Sequence, residues 1–248
     1  MKAMILAAGL GTRLRPLTND RPKALVEVAG HTLLEITLRR LASFGIQDVI
    51  VNVHHFADMV VDYLKNNDNF GMRVEISRED DVLLDTGGGL KQAEWFFLQD
   101  GQGQEPFLLH NVDVISAIDF ARMLTFHHEN EALATLAVQQ RKTSRHLLFD
   151  ECGQLCGRQT GADAPEMVGP SQQPTALAFS GVHIISPQLL SMITEQGVFS
   201  IVTTYLRLSA EGQRIVAFRA DPYYWRDLGK PENVTQATAD FERSIFPL

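Results

Sequence analysis

At 248 residues, with 45% apolar and 21% charged side chains, the chain has the composition of a soluble globular protein long enough to bury a sizeable core. A net charge of −8 argues against a broad basic face, and so against nucleic acid or an anionic membrane surface as a partner. No apolar run approaches the ~20 residues of a membrane span, and the N-terminal MKAMILAAG lacks the length of an export signal, so one α/β domain over residues 1–248, working in the cytoplasm, is expected.

Residues 4–8 are an apolar run that reads as a buried parallel strand starting almost at the N-terminus. It breaks at Gly9-Leu10-Gly11-Thr12, where two glycines let the backbone bend tightly and come close to a ligand. Arg13, Arg15, Arg21 and Lys23 follow, spaced by Pro16 and Pro22, which stiffen the loop. Backbone N–H groups, a hydroxyl and several cations after a first strand suit a polyanion, and a nucleoside triphosphate fits best. The loop is no dinucleotide fingerprint, because Leu14 stands where the third glycine belongs. It lacks the Gly-Lys-Ser/Thr of a Walker A loop as well.

Residues 26–31 read as a short extended piece and a turn, and apolar residues then recur at helical spacing over 33–44 until Gly45 stops them. Strand 48–53, helix 57–64 and strand 73–77 follow. This alternation begins a doubly wound parallel sheet, which binds its ligands at the carboxyl ends of its strands. Asp85-Thr86 then lead into three glycines, 87–89, ahead of a helical pattern over 90–98. Bare backbone at a helix N-terminus can lie against a flat ring or a phosphate. Strand 106–110 runs into Asn111-Val112-Asp113, and a carboxylate just past a strand end points into the crevice of such a sheet. Helix 118–129 ends with His127 and His128, placed to suit the helix dipole, while His54 and His55 read as capping or surface residues. Strand 134–138 precedes a hairpin over 147–158. Its Cys152 and Cys156 would give zinc, with His146, three ligands and no evident fourth. Residues 160–174 have no apolar periodicity and read as a lid or a disordered tip. Strand 176–185, helices 187–195 and 201–210, strand 215–218 and a closing helix 231–246 complete the chain.

Gly9 to Thr18 match, nearly residue for residue, the pattern Gly-x-Gly-Thr-Arg-Leu-x-Pro-Leu-Thr, and Pro22 to Leu25 match the Pro-Lys-x-Leu that follows it. With Asn111-Val112-Asp113, Phe179-Ser180-Gly181 and Trp225-Arg226-Asp227-Leu228-Gly229-Lys230-Pro231-Glu232 in the same order, the chain resembles the sugar-1-phosphate nucleotidylyltransferases over almost its whole length. The resemblance implies a Rossmann-like, doubly wound, mostly parallel mixed sheet, and a reaction of nucleoside triphosphate with sugar 1-phosphate giving a nucleoside diphosphate-sugar and pyrophosphate. It implies that Ala8, Gly9, Gly11, Thr12, Arg13, Thr86, Gly87 and Gly88 bind the nucleotide, and that Arg13 and Lys23 serve the chemistry. Lys23, Asn111, Ser180 and Gly181 would hold the sugar phosphate, and Asp113 and Asp227 the cofactor Mg²⁺. Val112 replaces a glycine of the family pattern and Lys230 a threonine, and no hexapeptide repeats follow, so the C-terminal β-helix of some relatives is not expected.

The compact length and the Asp-Thr-Gly-Gly-Gly segment most resemble the short bacterial enzymes that make UDP-N-acetylmuramic acid for the cell wall, so UTP and an N-acetylated hexosamine 1-phosphate are the expected substrates. A mannose-1-phosphate guanylyltransferase is the runner-up, ahead of glucose-1-phosphate uridylyl- or thymidylyltransferases and of an alcohol phosphate such as phosphocholine as acceptor. A nucleotide-binding regulatory module without catalysis is the rival of another class. Retention of the lysine and both aspartates speaks against it. Oligomeric state is not readable from these residues.

Overall fold

The computed structural model describes residues 1–99 and 105–245. Its first strand, β1 (Ala3–Leu6), is buried along its length within a ten-stranded sheet. Ala3 and Ile5 join one apolar cluster and Met4 and Leu6 another, which is why the segment is apolar without alternation. The small hairpin of β2 (Glu27–Val28) and β3 (His31–Thr32) leads to α1 (Leu33–Ser43), capped by Thr32, whose hydroxyl accepts from Glu35 N. β4 (Asp48–Val53), α2 (Ala57–Asn66) and β5 (Arg73–Arg78) follow, with β4 parallel to β1 and β5 parallel to β4. After α3 (Asp85–Gln92) and α4 (Glu94–Leu98), β6 (Phe107–Asn111) pairs in parallel with the other edge of β1.

The second half of the sheet is mixed in direction. β7 (Val114–Ser116), α5 (Phe120–Glu129) and β8 (Ala134–Gln139) precede the expected hairpin, β9 (Arg145–Phe149) with β10 (Leu155–Thr160). Residues 160–174 are not a loose tip: β11 (Glu166–Met167) pairs with β10, and Val168 N donates to the Cys156 carbonyl. The stretch lacks apolar periodicity because β11 is an exposed edge strand. The long β12 (Thr175–Ile185) lies antiparallel to β6, β8 and β9, which therefore share one direction, and so joins the parallel first half to the mixed second half. α6 (Gln188–Ser191) is a single turn, shorter than the sequence suggested, and α7 (Ile201–Ala210) leads to β13 (Ile215–Arg219), parallel to β8. β14 (Trp225–Asp227) pairs with β7 outside the main sheet, and α8 (Pro231–Glu242) follows it. The expected last residue of that helix, Phe246, lies outside the described residues.

Apolar residues of α1, α2, α5 and α8 pack on one face of the sheet and those of α3, α4, α6 and α7 on the other, the doubly wound arrangement. Among the described residues no helix is long and apolar enough to cross a membrane.

Three histidines are built into this core. His127 does not serve the helix dipole as a cation. It is buried, with Nδ1 on Thr135 Oγ1 at 2.9 Å and Nε2 on Ser186 Oγ at 3.0 Å, and burial pushes it down to about 4. Burial likewise pushes His110 down to about 4, and His183, bonded to the Tyr205 hydroxyl, down to about 3. An unfolded imidazole titrates near 6.5, so between about pH 6.5 and pH 4 the unfolded chain takes up protons that the fold refuses. The stability conferred by these neutral rings is full above the unfolded value and drains away as pH falls through that window. The urea midpoint should therefore fall steadily from pH 7 to pH 4.5. His127→Gln, which keeps hydrogen bonds to Thr135 and Ser186, should make that fall shallower by roughly a third. A midpoint slope unchanged by the substitution would mean that His127 is charged in the fold.

Candidate active site

The loop after β1 is shaped by its glycines. Gly11 has φ +64°, and its carbonyl accepts from Leu14 N and from Thr18 Oγ1, both at 2.8 Å. A Cβ there would lie 3.0 Å from Thr18 Cγ2 and 3.3 Å from Lys23 Cβ, so two later residues of the motif close over this one. Thr12 and Arg13 stay exposed while Ala8 is buried. Arg21 turns away to Asp20 at 3.3 Å and Glu27 at 3.9 Å. Lys23 turns inward, with Nζ 2.9 Å from Asp113 Oδ2. A Cβ on Gly9 would stand 3.4 Å from the same Nζ, so the lysine spans the glycine loop and the first carboxylate.

Asp113 follows β6, and the ribbon of β7 and β14 brings the second aspartate to it. Asp227 pairs with Val114, and Leu228 N donates to the Asp113 carbonyl at 2.7 Å. Gly229 N holds Asp227 Oδ1 at 2.6 Å. A Cβ on Gly229 would sit 2.7 Å from that oxygen and 2.8 Å from Arg13 Nη2, so the bare α-carbon is what lets the loop arginine and the carboxylate close on one point. Asp113 Oδ1 and Asp227 Oδ2 have no protein partner among the described residues. Two carboxylates, each with one oxygen tied and one to spare, are hard donors that suit Mg²⁺, which fills the rest of its octahedron with phosphate and water oxygens. Val112 is wholly buried in the core and is not among the residues of positive φ, so a valine is at ease where the family pattern has glycine.

Beside the aspartates lies a second wall. β12 slips register against β8 between Phe179 and His183, and within that irregularity Gly181 has φ +74°. A Cβ on Gly181 would be 2.9 Å from Asn111 Nδ2, so the asparagine lies directly over it. Asn111 Oδ1 and Ser180 Oγ are buried without a hydrogen-bond partner, and the Ser180 carbonyl accepts from Trp225 Nε1 at 2.8 Å. The guanidinium of Arg141, a residue no motif marked, stacks 3.8 Å over the Trp225 ring.

The triple glycine behaves differently from expectation. α3 starts at Asp85, so the three glycines lie inside the helix rather than ahead of it. The N–H groups of Gly87 and Gly88 both donate to the Phe199 carbonyl, at 2.9 and 3.3 Å, and are therefore not offered to a base or a phosphate. A Cβ on Gly87 would be 2.3 Å from the Phe199 ring, and one on Gly88 2.5 Å from the Gly197 carbonyl. The Thr86 hydroxyl accepts from Ile201 N at 3.0 Å. Close packing of α3 on residues 197–201 accounts for these residues without a ligand.

The family model of nucleotidyl transferases matches residues 2–244. The chain belongs to the nucleotidyl transferase family. An N-acetylmuramate alpha-1-phosphate uridylyltransferase of Caulobacter vibrioides is 35% identical, over 96% of this chain and 95% of its own. A mannose-1-phosphate guanyltransferase of Yarrowia lipolytica is 29% identical over 99% of this chain and 65% of its own length. A UDP-glucose pyrophosphorylase complexed with UDP-glucose shares the fold, with a TM-score of 0.77 at 18% identity and 98% of each chain covered.

In this nucleotidyltransferase the fold brings together Arg13, Lys23, Asp113 and Asp227, and sets Asn111, Ser180 and Gly181 beside them. Gly229 and Arg141 escaped the sequence reading. Gly229 was visible within the last motif but carried no role, and Arg141 had no signal at all. Lys23→Ala should lower turnover about 100- to 1000-fold, while Arg21→Ala, whose partners lie outside the crevice, should stay within about twofold. Gly229→Ala should keep the wild-type urea midpoint and raise the KM for triphosphate about tenfold or more by displacing Arg13. Equal, mild effects of the lysine and arginine variants in the same steady-state assay would reduce the loop to a generic basic surface.

Proposed function

We propose that this enzyme transfers the uridylyl group of UTP to the phosphate of an N-acetylated hexosamine 1-phosphate, N-acetylmuramate 1-phosphate foremost, and releases pyrophosphate. The observation that carries the reading is the end-to-end match to the Caulobacter uridylyltransferase, which leaves no large unmatched domain on either chain. The site supports the same chemistry. A sugar phosphate is ionised at neutral pH, so its oxygen needs no general base. The obstacle is bringing one anion in line with another. Lys23, lying across the loop and Asp113, is placed to lessen that repulsion and to steady the charge that gathers on the α-phosphoryl oxygens. The amides of residues 9–12 and the exposed Arg13 would hold the β and γ phosphates, which depart together as the bond from the α-phosphorus to its bridging oxygen breaks. Asp113 and Asp227 would hold Mg²⁺, whose charge supplies electrostatic stabilisation to the phosphates. Asn111, Ser180 and Gly181 would face the sugar. With the Gly87 and Gly88 amides engaged, the base reading falls to the turn before α3, where Leu84 N is fixed on Glu79 Oε2 at 2.8 Å and Asp85 has φ +61°.

The second reading, guanylyl transfer to mannose 1-phosphate, is favoured by relatives that are 28–29% identical, such as those of Yarrowia lipolytica and Mycobacterium tuberculosis. Initial rates with UTP, GTP, dTTP and CTP against the 1-phosphates of N-acetylmuramate, N-acetylglucosamine, glucose and mannose decide between them. UTP with an N-acetylated hexosamine should give the highest kcat/KM, and a higher value for GTP with mannose 1-phosphate would overturn the choice. Turnover should vanish in EDTA and return with Mg²⁺. Asp113→Asn and Asp227→Asn should each cost about 100-fold or more in kcat with the fold intact, and full activity in either variant would sink the metal assignment.

A further inference from the structure

Arg141 and Arg40 are the two half-buried arginines without a carboxylate partner among the described residues, and Arg40 is taken up by the Ile118 carbonyl and the Phe44 and Phe120 rings. Arg78, Arg158, Arg207, Arg219 and Arg226 all lie against carboxylates at 2.6–2.9 Å, whereas Arg141, half-buried just past β8, has none within ion-pair distance among the described residues. Its place is nevertheless fixed. Nη2 donates to the Phe179 carbonyl at 2.6 Å, and the guanidinium lies 3.8 Å over the Trp225 ring, itself pinned through Nε1 to Ser180. Trp225 and Asp227 are two residues apart in β14, so their side chains leave the same face of the ribbon. The stacked cation therefore stands on the side of the crevice where Asp227, Asn111 and Gly181 meet. Burial pushes the guanidinium down and the field of Asp227 pushes it back up, and an arginine stays charged throughout. Holding a half-buried charge with no carboxylate in contact is costly, and an anion supplied by the substrate would offset that cost.

The reacting phosphates already have Lys23 and Arg13, and the two aspartates are given to Mg²⁺. What a planar fork on an aromatic floor fits well is a carboxylate, which it can grip with two parallel hydrogen bonds. N-acetylmuramate differs from N-acetylglucosamine by a lactic acid ether on the sugar ring, and its carboxylate is the only charge that separates the two. We propose that Arg141, held against Trp225, binds a carboxylate borne by the acceptor sugar and makes the enzyme select acidic over neutral sugar 1-phosphates. The proposal rests on the uridylyl-to-hexosamine reading and names the sugar feature that reading leaves open.

The experiment measures kcat and KM with UTP for N-acetylmuramate 1-phosphate, its lactyl methyl ester and N-acetylglucosamine 1-phosphate, in wild type, Arg141→Ala and Arg141→Lys. Calorimetric binding of the same three acceptors without triphosphate accompanies it. Wild type should prefer the free acid to both neutral acceptors in binding and in kcat/KM. Arg141→Ala should lose about 10- to 100-fold for the acid, through KM, and less than about threefold for N-acetylglucosamine 1-phosphate. Arg141→Lys should recover part of the loss. An equal fall for acid and neutral acceptors would assign Arg141 to the 1-phosphate or to packing and overturn the proposal. So would a wild type that treats acid and ester alike, a result that needs no variant to fold. Acid-selective binding without UTP turnover would sink the uridylyl reading and leave the carboxylate site standing, whereas UTP turnover indifferent to the carboxylate would do the reverse.

Discussion

One backbone hydrogen bond, from Leu228 N to the Asp113 carbonyl at 2.7 Å, closes the site on which this protein depends. It ends the short ribbon in which β14 lies along β7, and it sets Asp227 beside Asp113 although 114 positions (227 − 113) separate them in the chain. Neither strand belongs to the main sheet, so the pairing has no other evident purpose than to bring the last motif to the crevice. The charged groups of the crevice gather around it. Lys23 meets Asp113, Gly229 ties Asp227, and Arg13 reaches the same point over the bare α-carbon of Gly229. Two carboxylates brought this close repel unless cations stand between them, and the lysine and arginine of the first loop answer that need.

A second constraint ties the first loop to the turn before α3. Asn52, at the end of β4, accepts from Ala7 N at 2.7 Å and donates to Glu79 Oε1 at 2.6 Å, while Glu79 Oε2 accepts from Leu84 N at 2.8 Å. Asn52 and Glu79 are both buried, so this network is specific about geometry: losing one member strands another without a partner. Gly89 belongs to it as well, since a Cβ there would lie 2.7 Å from Glu79 Oε1. The first glycine loop and the turn proposed to meet the base are therefore held by a common set of hydrogen bonds across three parallel strands. That rigidity is what a site needs if its binding energy is to orient two anions rather than to order the protein.

Glycine serves two unlike purposes in this chain. At Gly11, Gly181 and Gly229 it clears space beside Thr18 and Lys23, Asn111, and Arg13 with Asp227. At Gly87, Gly88 and Gly89 it lets a helix sink against Phe199, Gly197 and the Asn52–Glu79 pair. Both uses look the same in a sequence. The glycine run before Leu90 reads as a ligand-facing turn because helix interiors disfavour glycine, and only the neighbours in space show that packing outweighed that penalty.

The sequence by itself determined the family, the strand–helix alternation of the first half and most of the residues that the fold gathers at the candidate site. Each rests on local order: apolar runs of strand length, the Gly-x-Gly-Thr-Arg loop, and carboxylates placed just past strands or within a motif. Lys23 could be told from Arg21 by its position in the pattern, and the fold turns the first inward to Asp113 and the second outward to Asp20 and Glu27. The tertiary structure alone decided what depends on residues distant in the chain. It paired Glu166 and Met167, inside the stretch expected to be a lid or a disordered tip, with β10 as a short edge strand, neutralised His127 by burying it between Thr135 and Ser186, and gave the Gly87 and Gly88 amides to Phe199. It also stacked Arg141 on Trp225, a contact across 84 positions (225 − 141) that no periodicity announces. Hydrogen bonds, burial and charge pairing act through space, and a sequence displays only the neighbours that the chain itself supplies.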